Sequence, residues 1–254
     1  MNQLKVRNLV LGEGMPKICV PIVGTTWEEI KEQAEEMVKL PVDFVEWRMD
    51  WYENITEESS VIDILGLLRQ YLGDLPLLAT FRTKQEGGMQ EFSQQEYRAL
   101  MNTVLTSGYI DLVDVELFLG EKLVKELIES AHLAGVFVVA SNHDFFKTPT
   151  KEEMIRRLCK MQELGADVLK IAVMPNTNRD VLTLLETTVE MNEVYAKKPL
   201  ITMAMSGIGM ISRLSGECFG SAVTFGAARK ASAPGQIGVE QLREILQIVH
   251  GKEE

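Results

Sequence analysis

The sequence predicts an α/β fold, a (β/α)8 TIM barrel with a short N-terminal β-hairpin that closes its bottom. Short runs rich in Val, Ile and Leu alternate with longer amphipathic stretches, as expected for parallel strands buried on both faces. Eight such runs begin at intervals of 22 to 35 residues, the spacing of repeated βα units. The chain has 254 residues, and barrels of this kind commonly reach about 250 residues as one domain.

The predicted strands are short apolar segments that often follow a Pro or a Gly. They begin near Lys17, Val42, Leu77, Ile110, Val136, Ala166, Leu200 and Ala222. Residues 4–14 precede the first of them, and we assign residues 1–14 to the hairpin, which would cover the barrel core. No linker or low-complexity tract marks a second domain, so we expect residues 1–254 to form a single domain.

The stretches between these strands have the apolar spacing of amphipathic helices. Ser93 followed by Glu96, and Thr150 followed by Glu153, match the capping box that begins many helices. A long apolar stripe covers residues 181–195, and residues 238–250 close the chain as an amphipathic helix. The alternative fold is an open doubly wound sheet, but the turn Gly24-Thr25-Thr26 lacks the expected GxGxxG fingerprint.

Composition excludes several classes of protein. Hydrophobic residues make up 46% and charged residues 25%, which is typical of a globular chain and not of a disordered one. The formal net charge of −11 argues against nucleic-acid binding and, more weakly, against an anionic substrate. Three widely spaced cysteines indicate neither a disulfide framework nor a metal site. Without a signal peptide or a membrane-spanning apolar run, we expect a cytoplasmic protein with no membrane partner.

Polar side chains gather at the carboxyl ends of the predicted strands, where barrels of this type place their active sites. These candidates are Glu46 and Arg48 on the second strand, Arg82 and Glu86 after the third, His143 after the fifth, Lys170 in the sixth, Arg213 after the seventh, and Ser232 and Gln236 before the last helix. Some of these residues also have a purely structural interpretation. Glu46 and Arg48 could form an internal ion pair, His143 could be a structural residue whose hydrogen bonds are made within the fold, and Glu86 could be a solvated loop residue. Asp114 and Glu116 are expected to orient the site or pair with its cations.

Lys170 carries the strongest chemical signal. A lysine within an apolar strand is costly unless it is used or paired. Burial and nearby cations lower the pKa of an ammonium, and a neutral amine can attack a ketone to form an iminium. The iminium acidifies the adjacent carbon, so a base is needed nearby, and His143 on the neighbouring strand can supply it.

The arginines predict the class of ligand. Arg48, Arg82 and Arg213 converge on the barrel mouth, and arginine binds carboxylates in a planar fork. Ser232 and Gln236 lie just before the last helix, whose N-terminus favours an anion. A small polyhydroxylated keto acid satisfies this set. No His pair or Cys cluster has metal-ligand spacing, so we expect no metal.

Six motifs together resemble type I 3-dehydroquinate dehydratases over about residues 4–249. They are EWRxD at 46–50, TFR with EGG at 80–88, SNHDF with KTP at 141–149, KIAVMP at 170–175, ISRLSGE with FGS at 211–221, and KASAPGQI at 230–237. The resemblance implies a barrel enzyme of the shikimate pathway for aromatic amino acid biosynthesis, a homodimer without metal or organic cofactor. The implied reaction converts 3-dehydroquinate to 3-dehydroshikimate and water.

The resemblance also implies a role for each candidate residue. Lys170 matches the Schiff-base lysine, His143 the general acid/base that takes the C2 proton and helps the C1 hydroxyl to leave, and Glu86 the carboxylate that assists His143. Glu46 and Arg48 match residues that bind ring hydroxyls, and Arg213 lies near the carboxylate. Arg82, Ser232 and Gln236 complete the polar site, and the apolar walls are Met203, Met205, Phe145 and Phe225.

Three positions depart from patterns found in some members of the family. Pro21 stands where some have a Ser, Phe146 where some have a second His, and residues 206–209 where some read AKTG; the last change is expected to loosen the loop around Arg213. Two other functions stay open. One is a Schiff-base aldolase that breaks a C–C bond, and the other is a non-enzymatic barrel that binds a hydroxy acid.

Overall fold

The computed structural model describes residues 2–228 and 233–251. Eight parallel strands form one sheet in which each strand pairs with the next along the chain and the last pairs with the first. A bridge between Leu200 and Ser221, with the Ala222 amide donating to the Leu200 carbonyl at 2.7 Å, joins the seventh strand to the eighth segment and closes the barrel. The predicted (β/α)8 fold is confirmed. The barrel strands are β3 (Lys17–Ile22), β4 (Phe44–Arg48), β5 (Leu77–Thr80), β6 (Leu112–Glu116), β7 (Phe137–Asp144), β8 (Val168–Val173), β9 (Leu200–Ala204) and β10 (Val223–Phe225).

The predicted N-terminal hairpin is present as β1 (Leu4–Val6) and β2 (Leu9–Leu11), which pair antiparallel. Val6 and Leu11 are only 1% and 2% exposed, and they belong to the same apolar cluster as Phe44 and Leu78. Those two residues lie near the amino ends of barrel strands. The hairpin therefore covers the bottom of the barrel, opposite the carboxyl ends.

Helices follow the strands as the amphipathic stripes predict. A π-helical segment, Met191–Tyr195, extends the sixth helix and completes the predicted stripe. No helix in the described part of the chain combines the length and the apolarity needed to cross a membrane. The helices are α1 (Trp27–Met37), α2 (Glu58–Leu72), α3 (Gln94–Thr106), α4 (Glu121–Leu133), α5 (Lys151–Glu163), α6 (Asn178–Glu190), α7 (Met210–Leu214), α8 (Gly216–Phe219) and α9 (Val239–His250).

One of the two predicted capping boxes is complete. At the start of α3, Ser93 accepts from the Glu96 amide, and the Glu96 carboxylate accepts from the Ser93 amide at 2.8 Å. At the start of α5, Thr150 accepts from the Glu153 amide. A complete capping box was predicted there, and its second hydrogen bond, from the Thr150 amide to the Glu153 carboxylate, is wrong. The Glu153 carboxylate accepts instead from two arginines further along the helix.

Alternation along the strands separates the packing core from the site. Outward residues such as Trp47 and Ile171 are fully buried in clusters that include helical residues. Inward positions change from apolar to polar along each strand, as in Phe44 followed by Glu46 on β4 and Val168 followed by Lys170 on β8. The lower interior is therefore apolar, and the polar inward side chains collect toward the carboxyl ends.

Candidate active site

A cavity opens at the carboxyl ends of the strands. Every predicted site residue that the structure describes lines it. Ser232 lies outside the described residues. The cavity lining comprises Glu46, Arg48, Arg82, Glu86, Gly87, His143, Phe145, Lys170, Ala172, Met203, Met205, Arg213, Phe225, Ala233 and Gln236.

Lys170 lies on β8 with 3% of its surface exposed. Its Nζ is 3.4 Å from Asp114 Oδ2 and 3.8 Å from Glu46 Oε1. The same atom lies 4.6 Å from the centroid of the Phe225 ring. Two carboxylates and an aromatic face thus compensate the buried charge, and the amine is held against the cavity wall.

Arg48 and Glu46 are both buried at the mouth, but they do not form the ion pair that was one interpretation of the sequence. Arg48 makes two 2.8 Å bonds from Nε and Nη2 to the Asp50 carboxylate. Glu46 Oε1 accepts from Thr80 Oγ1 at 2.9 Å. Asp50 belongs to the EWRxD motif, but no role for it was predicted from the sequence; its place two residues after Arg48 was the available signal.

Arg82 is the centre of a buried ionic network. Its Nη2 lies 2.8 Å from Asp114 Oδ2, and its Nη1 lies 2.8 Å from Glu116 Oε1. Nη1 also donates to Ser141 Oγ at 3.0 Å. The expectation that Asp114 and Glu116 pair with cations of the site is confirmed. Arg82 borders the cavity with much of its hydrogen-bonding capacity already used by the protein.

His143 and Glu86 form a close acid–base pair. Glu86 Oε2 accepts from the His143 amide at 2.8 Å and lies 2.9 Å from His143 Nδ1. Glu86 is 5% exposed, so its interpretation as a solvated loop residue is wrong. With Nδ1 held by the carboxylate, Nε2 is the ring nitrogen left to exchange a proton with a ligand.

The environment moves the pKa values of the two groups in opposite directions. Burial, with the nearby Glu116 carboxylate, raises the pKa of Glu86 to about 8. Burial, with the cations Arg82, Lys170 and Arg48, lowers the pKa of His143 well below its usual value. Since the groups share a hydrogen bond, they titrate as a pair. Around neutral pH this pair can gain or lose one proton, which suits general acid/base chemistry.

Two glycines after Glu86 explain the EGG motif. Gly87 has φ +85°, and a Cβ there would lie 2.4 Å from the Phe145 ring. A Cβ on Gly88 would lie 1.8 Å from the Arg82 carbonyl oxygen. The chain can therefore turn back tightly enough to aim Glu86 at His143 only when both side chains are absent.

Arg213, on α7, is a buried cation without a carboxylate partner among the described residues. It is 2% exposed, its Nη2 donates to the Pro234 carbonyl at 3.1 Å, and its Nη1 lies 3.6 Å from Met203 Sδ. Its Nε has no hydrogen-bond partner there. Burial lowers the pKa of the guanidinium to about 10. An unpaired buried cation at a cavity wall is suited to bind an anionic ligand.

Replacing Arg213 with Gln should weaken binding of an anionic ligand far more than it weakens the fold. Because a buried charge pair contributes several kcal/mol, we expect kcat/KM to fall on the order of 10²–10³-fold, mostly through KM. Steady-state kinetics would measure this loss. Arg98→Gln is the control, because Arg98 pairs with Glu126 on the exposed surface. Unchanged kinetics in Arg213→Gln would remove Arg213 from ligand binding.

The three departures from the family motifs lie in different surroundings. Phe146 is 84% exposed, and Pro21 lines a second cavity next to α1. Ser206 has φ +62° and its amide donates to the Pro234 carbonyl at 3.3 Å. The loop after β9 therefore touches the segment that carries Gln236. The predicted loosening of this loop stays a prediction.

Comparisons with known proteins point to one family of enzymes. A family model described as type I 3-dehydroquinase matches residues 18–253. A 3-dehydroquinate dehydratase of Bacillus licheniformis is 54% identical over 247 residues, which span 97% of each chain. One of Clostridioides difficile (strain 630) is 50% identical over 248 residues, 98% of this chain and 97% of the relative. A crystal structure of a type I enzyme from Clostridium difficile, described as having covalently modified comenic acid, matches with a TM-score of 0.96 at 50% identity, over 98% of this chain and 99% of that one.

Proposed function

This chain belongs to the type I 3-dehydroquinase family, and from that premise we propose that it dehydrates 3-dehydroquinate to 3-dehydroshikimate through a Schiff base on Lys170. The observation that carries the proposal is the placement of three groups around one cavity: a buried amine, a His–Glu pair and an arginine with no carboxylate partner in the described part of the chain. The amine supplies the nucleophile, the pair moves protons, and the arginine selects a carboxylate. The covalently modified comenic acid described for the Clostridium difficile relative supports the proposal of a nucleophile.

The proposed reaction begins at the substrate ketone. Lys170 first gives up its ammonium proton to solvent, and the neutral Nζ attacks the carbonyl carbon. The carbonyl oxygen then leaves as water, with one proton from the amine and one from His143 or solvent, which gives an iminium. His143 Nε2 then takes a proton from C2, and the electron pair of the broken C–H bond forms an enamine. The enamine re-forms the iminium as the C1–O bond breaks, with the oxygen leaving as water on a proton from His143. Water hydrolyses the iminium, which frees the conjugated enone and the lysine.

Surrounding residues bind the rest of the substrate. We assign the substrate carboxylate to Arg213, because a cavity anion would neutralise that buried cation. Arg48, Glu46 and Gln236 border the cavity and can bind ring hydroxyls. Arg82 contributes chiefly by holding Asp114, which in turn lies against Lys170. Ser232 is assigned to the same site on the resemblance of its motif. Phe145, Phe225, Met203 and Met205 supply apolar walls.

The experiment that tests this function is an absorbance assay for the conjugated enone, combined with borohydride trapping. Borohydride added with 3-dehydroquinate should reduce the iminium and leave a covalent adduct on Lys170, located by mass spectrometry. The absence of an adduct, or an adduct on another residue, would refute the mechanism. Faster cleavage of a sugar phosphate would favour the aldolase, and binding without turnover would favour the hydroxy-acid-binding barrel.

Glu86→Gln should move the acid limb of the pH–rate profile to lower pH. The His143–Glu86 pair is active in the form that has lost one proton, because His143 Nε2 is then free to accept the proton from C2. In the native pair the carboxylate attracts the proton, and the pKa of Glu86 is about 8. Without the Glu86 carboxylate, only His143 can take up the proton. Burial and the nearby cations hold the pKa of His143 well below its usual value. We expect a downward shift of about one unit or more, with a lower maximal rate.

The pH dependence of kcat measures this shift. Glu217→Gln is the matched control, because Glu217 Oε1 lies 2.6 Å from Nδ1 of His250 in a pair that does not line the cavity. An acid limb that stays in place in Glu86→Gln would show that the pair does not control turnover.

The family resemblance also leads us to propose a homodimer in the cytoplasm. Sedimentation of the purified chain would test the dimer, and fractionation of the source cells would test the location.

A further inference from the structure

A chain of hydrogen bonds leads from the outside of the barrel to the acid–base pair. Asn142 Nδ2 donates to Glu86 Oε1 at 3.0 Å. Arg157 Nη1, on α5, donates to the other side of the same amide, Asn142 Oδ1, at 2.8 Å. Neither Asn142 nor Arg157 takes part in the proposed reaction. Together they connect a helix on the outer face of the barrel to the carboxylate that holds His143.

Arg157 determines the orientation of the Asn142 side-chain amide. A guanidinium can only donate hydrogen bonds, so it accepts only the oxygen end of Asn142 as its partner. The NH2 group must then point at Glu86. A donor at this position stabilises the ionised carboxylate, whereas the reversed amide would present an oxygen and favour protonated Glu86.

Arg157 is itself firmly held. Its Nε donates to Glu153 Oε1 at 2.7 Å, and its guanidinium carbon lies 5.1 Å from the centroid of the Phe118 ring. The neighbouring Arg156 also binds Glu153, with bonds of 2.8 Å to both carboxylate oxygens. Arg157 donates to Asn142 and Arg156 does not, so the two adjacent arginines share one carboxylate and differ in their link to the site.

We propose that Arg157 is a positioning residue that acts through Asn142 to favour the ionised form of Glu86 and to align it with His143. The proposal rests on the function proposed above, because it concerns how the acid–base pair of that reaction is prepared. It assigns a role in the reaction to a residue outside the cavity lining.

Several other charged groups also affect the protonation of the His143–Glu86 pair. Glu86 faces Arg82 Nη1 at 3.6 Å, and Glu116 and Asp114 on β6 raise its pKa. The Glu86 charge in turn helps to raise the pKa of the buried Tyr97 phenol on α3. His143 lies on β7 under the influence of Lys170 on β8 and Arg48 on β4. The Asn142 hydrogen bond is one of the contacts that lower the pKa of Glu86. Its loss must therefore raise the pH at which the pair releases its proton.

The test compares Arg157→Met with Arg156→Met. The titration of the His143 ring is followed by NMR in the ligand-free enzyme, and the pH dependence of kcat is measured with 3-dehydroquinate. In Arg157→Met we expect the apparent pKa of the pair and the acid limb of kcat to rise by about half a unit to one unit. Arg156→Met should titrate as the native protein does. Arg157→Lys retains a cationic donor, so its upward shift should be smaller than that of Arg157→Met.

A double-mutant cycle separates positioning from a general charge effect. Asn142→Leu removes the donor itself and should give the same upward shift as Arg157→Met, and the double variant should add little, because both changes break one chain of contacts. Native titration in Arg157→Met, an equal shift in Arg156→Met, or additive shifts would overturn the proposal. The NMR titration needs no turnover, so a failure of the proposed reaction would be recognised separately as absent enone formation in the native enzyme.

Discussion

Lys170→Met should lose essentially all dehydratase activity and form no borohydride adduct. Met preserves most of the length of the side chain but lacks the amine that forms the iminium, so the reaction loses its electron sink. We expect kcat to fall on the order of 10⁴-fold or more. The enone absorbance assay measures the rate, and mass spectrometry after borohydride treatment measures the adduct.

A second lysine provides a matched control for this variant. Lys198 Nζ lies 3.4 Å from Asp167 Oδ1, the same distance that separates Lys170 from Asp114, but it precedes β9 at the amino end of the barrel. Lys198→Met should keep native turnover and a native adduct. Substantial activity in a folded Lys170→Met protein, with folding verified by circular dichroism, would show that the reaction does not pass through this amine.

His143→Ala should still form the covalent adduct but release product slowly. Removing the proton carrier leaves Lys170 in place, so imine formation can proceed while abstraction of the C2 proton loses its base. General acid/base groups commonly contribute 10²–10⁴-fold, and we expect a loss of about that size in kcat. Single-turnover kinetics would show an adduct that accumulates before the enone appears.

His132→Ala is the corresponding control. His132 Nε2 lies 2.8 Å from Asp167 Oδ2, a pair similar in length to His143 and Glu86, and it lies on α4 away from the cavity lining. Its turnover should match that of the native enzyme. Near-normal product formation in His143→Ala would assign the proton transfer to another group.

Alternation within the strands made much of the fold and site predictable. Lys170 was conspicuous because an ammonium in an apolar run needs a partner, and the structure supplies Asp114 and Glu46. Glu46, Arg48 and His143 could be placed at the mouth because side chains of a strand alternate faces and strands of a barrel share a carboxyl end.

Partnerships between side chains were harder to predict. Arg48 binds Asp50 and not Glu46, and Arg82 is largely engaged by Asp114 and Glu116. These choices depend on distances between atoms that sequence spacing does not determine. Arg157 was missed for the same reason: it lies beside Arg156 on one helix, and the contacts with Asn142 and Phe118 that distinguish it come from residues distant in sequence.

The net charge was also a poor guide to the ligand. The value of −11 argued weakly against an anionic substrate, yet the cavity contains Arg213 without a carboxylate partner among the described residues. Acidic residues are concentrated on solvated helices such as α1, whose sequence is WEEIKEQAEEM. Net charge describes the solvated exterior, whereas a ligand responds to the few charges within its reach.

The hairpin at the bottom of the barrel determines how water can reach the reaction. Val6 and Leu11 fill the amino end beneath the apolar interior, so in the described part of the chain the mouth is the route by which solvent approaches Lys170. In the proposed reaction, the water eliminated from the substrate, the water that hydrolyses the iminium and the organic product all cross this opening. A ligand bound in the mouth therefore also blocks the access of water to Lys170. Hydrolysis of the iminium then depends on how far that ligand moves out of the opening.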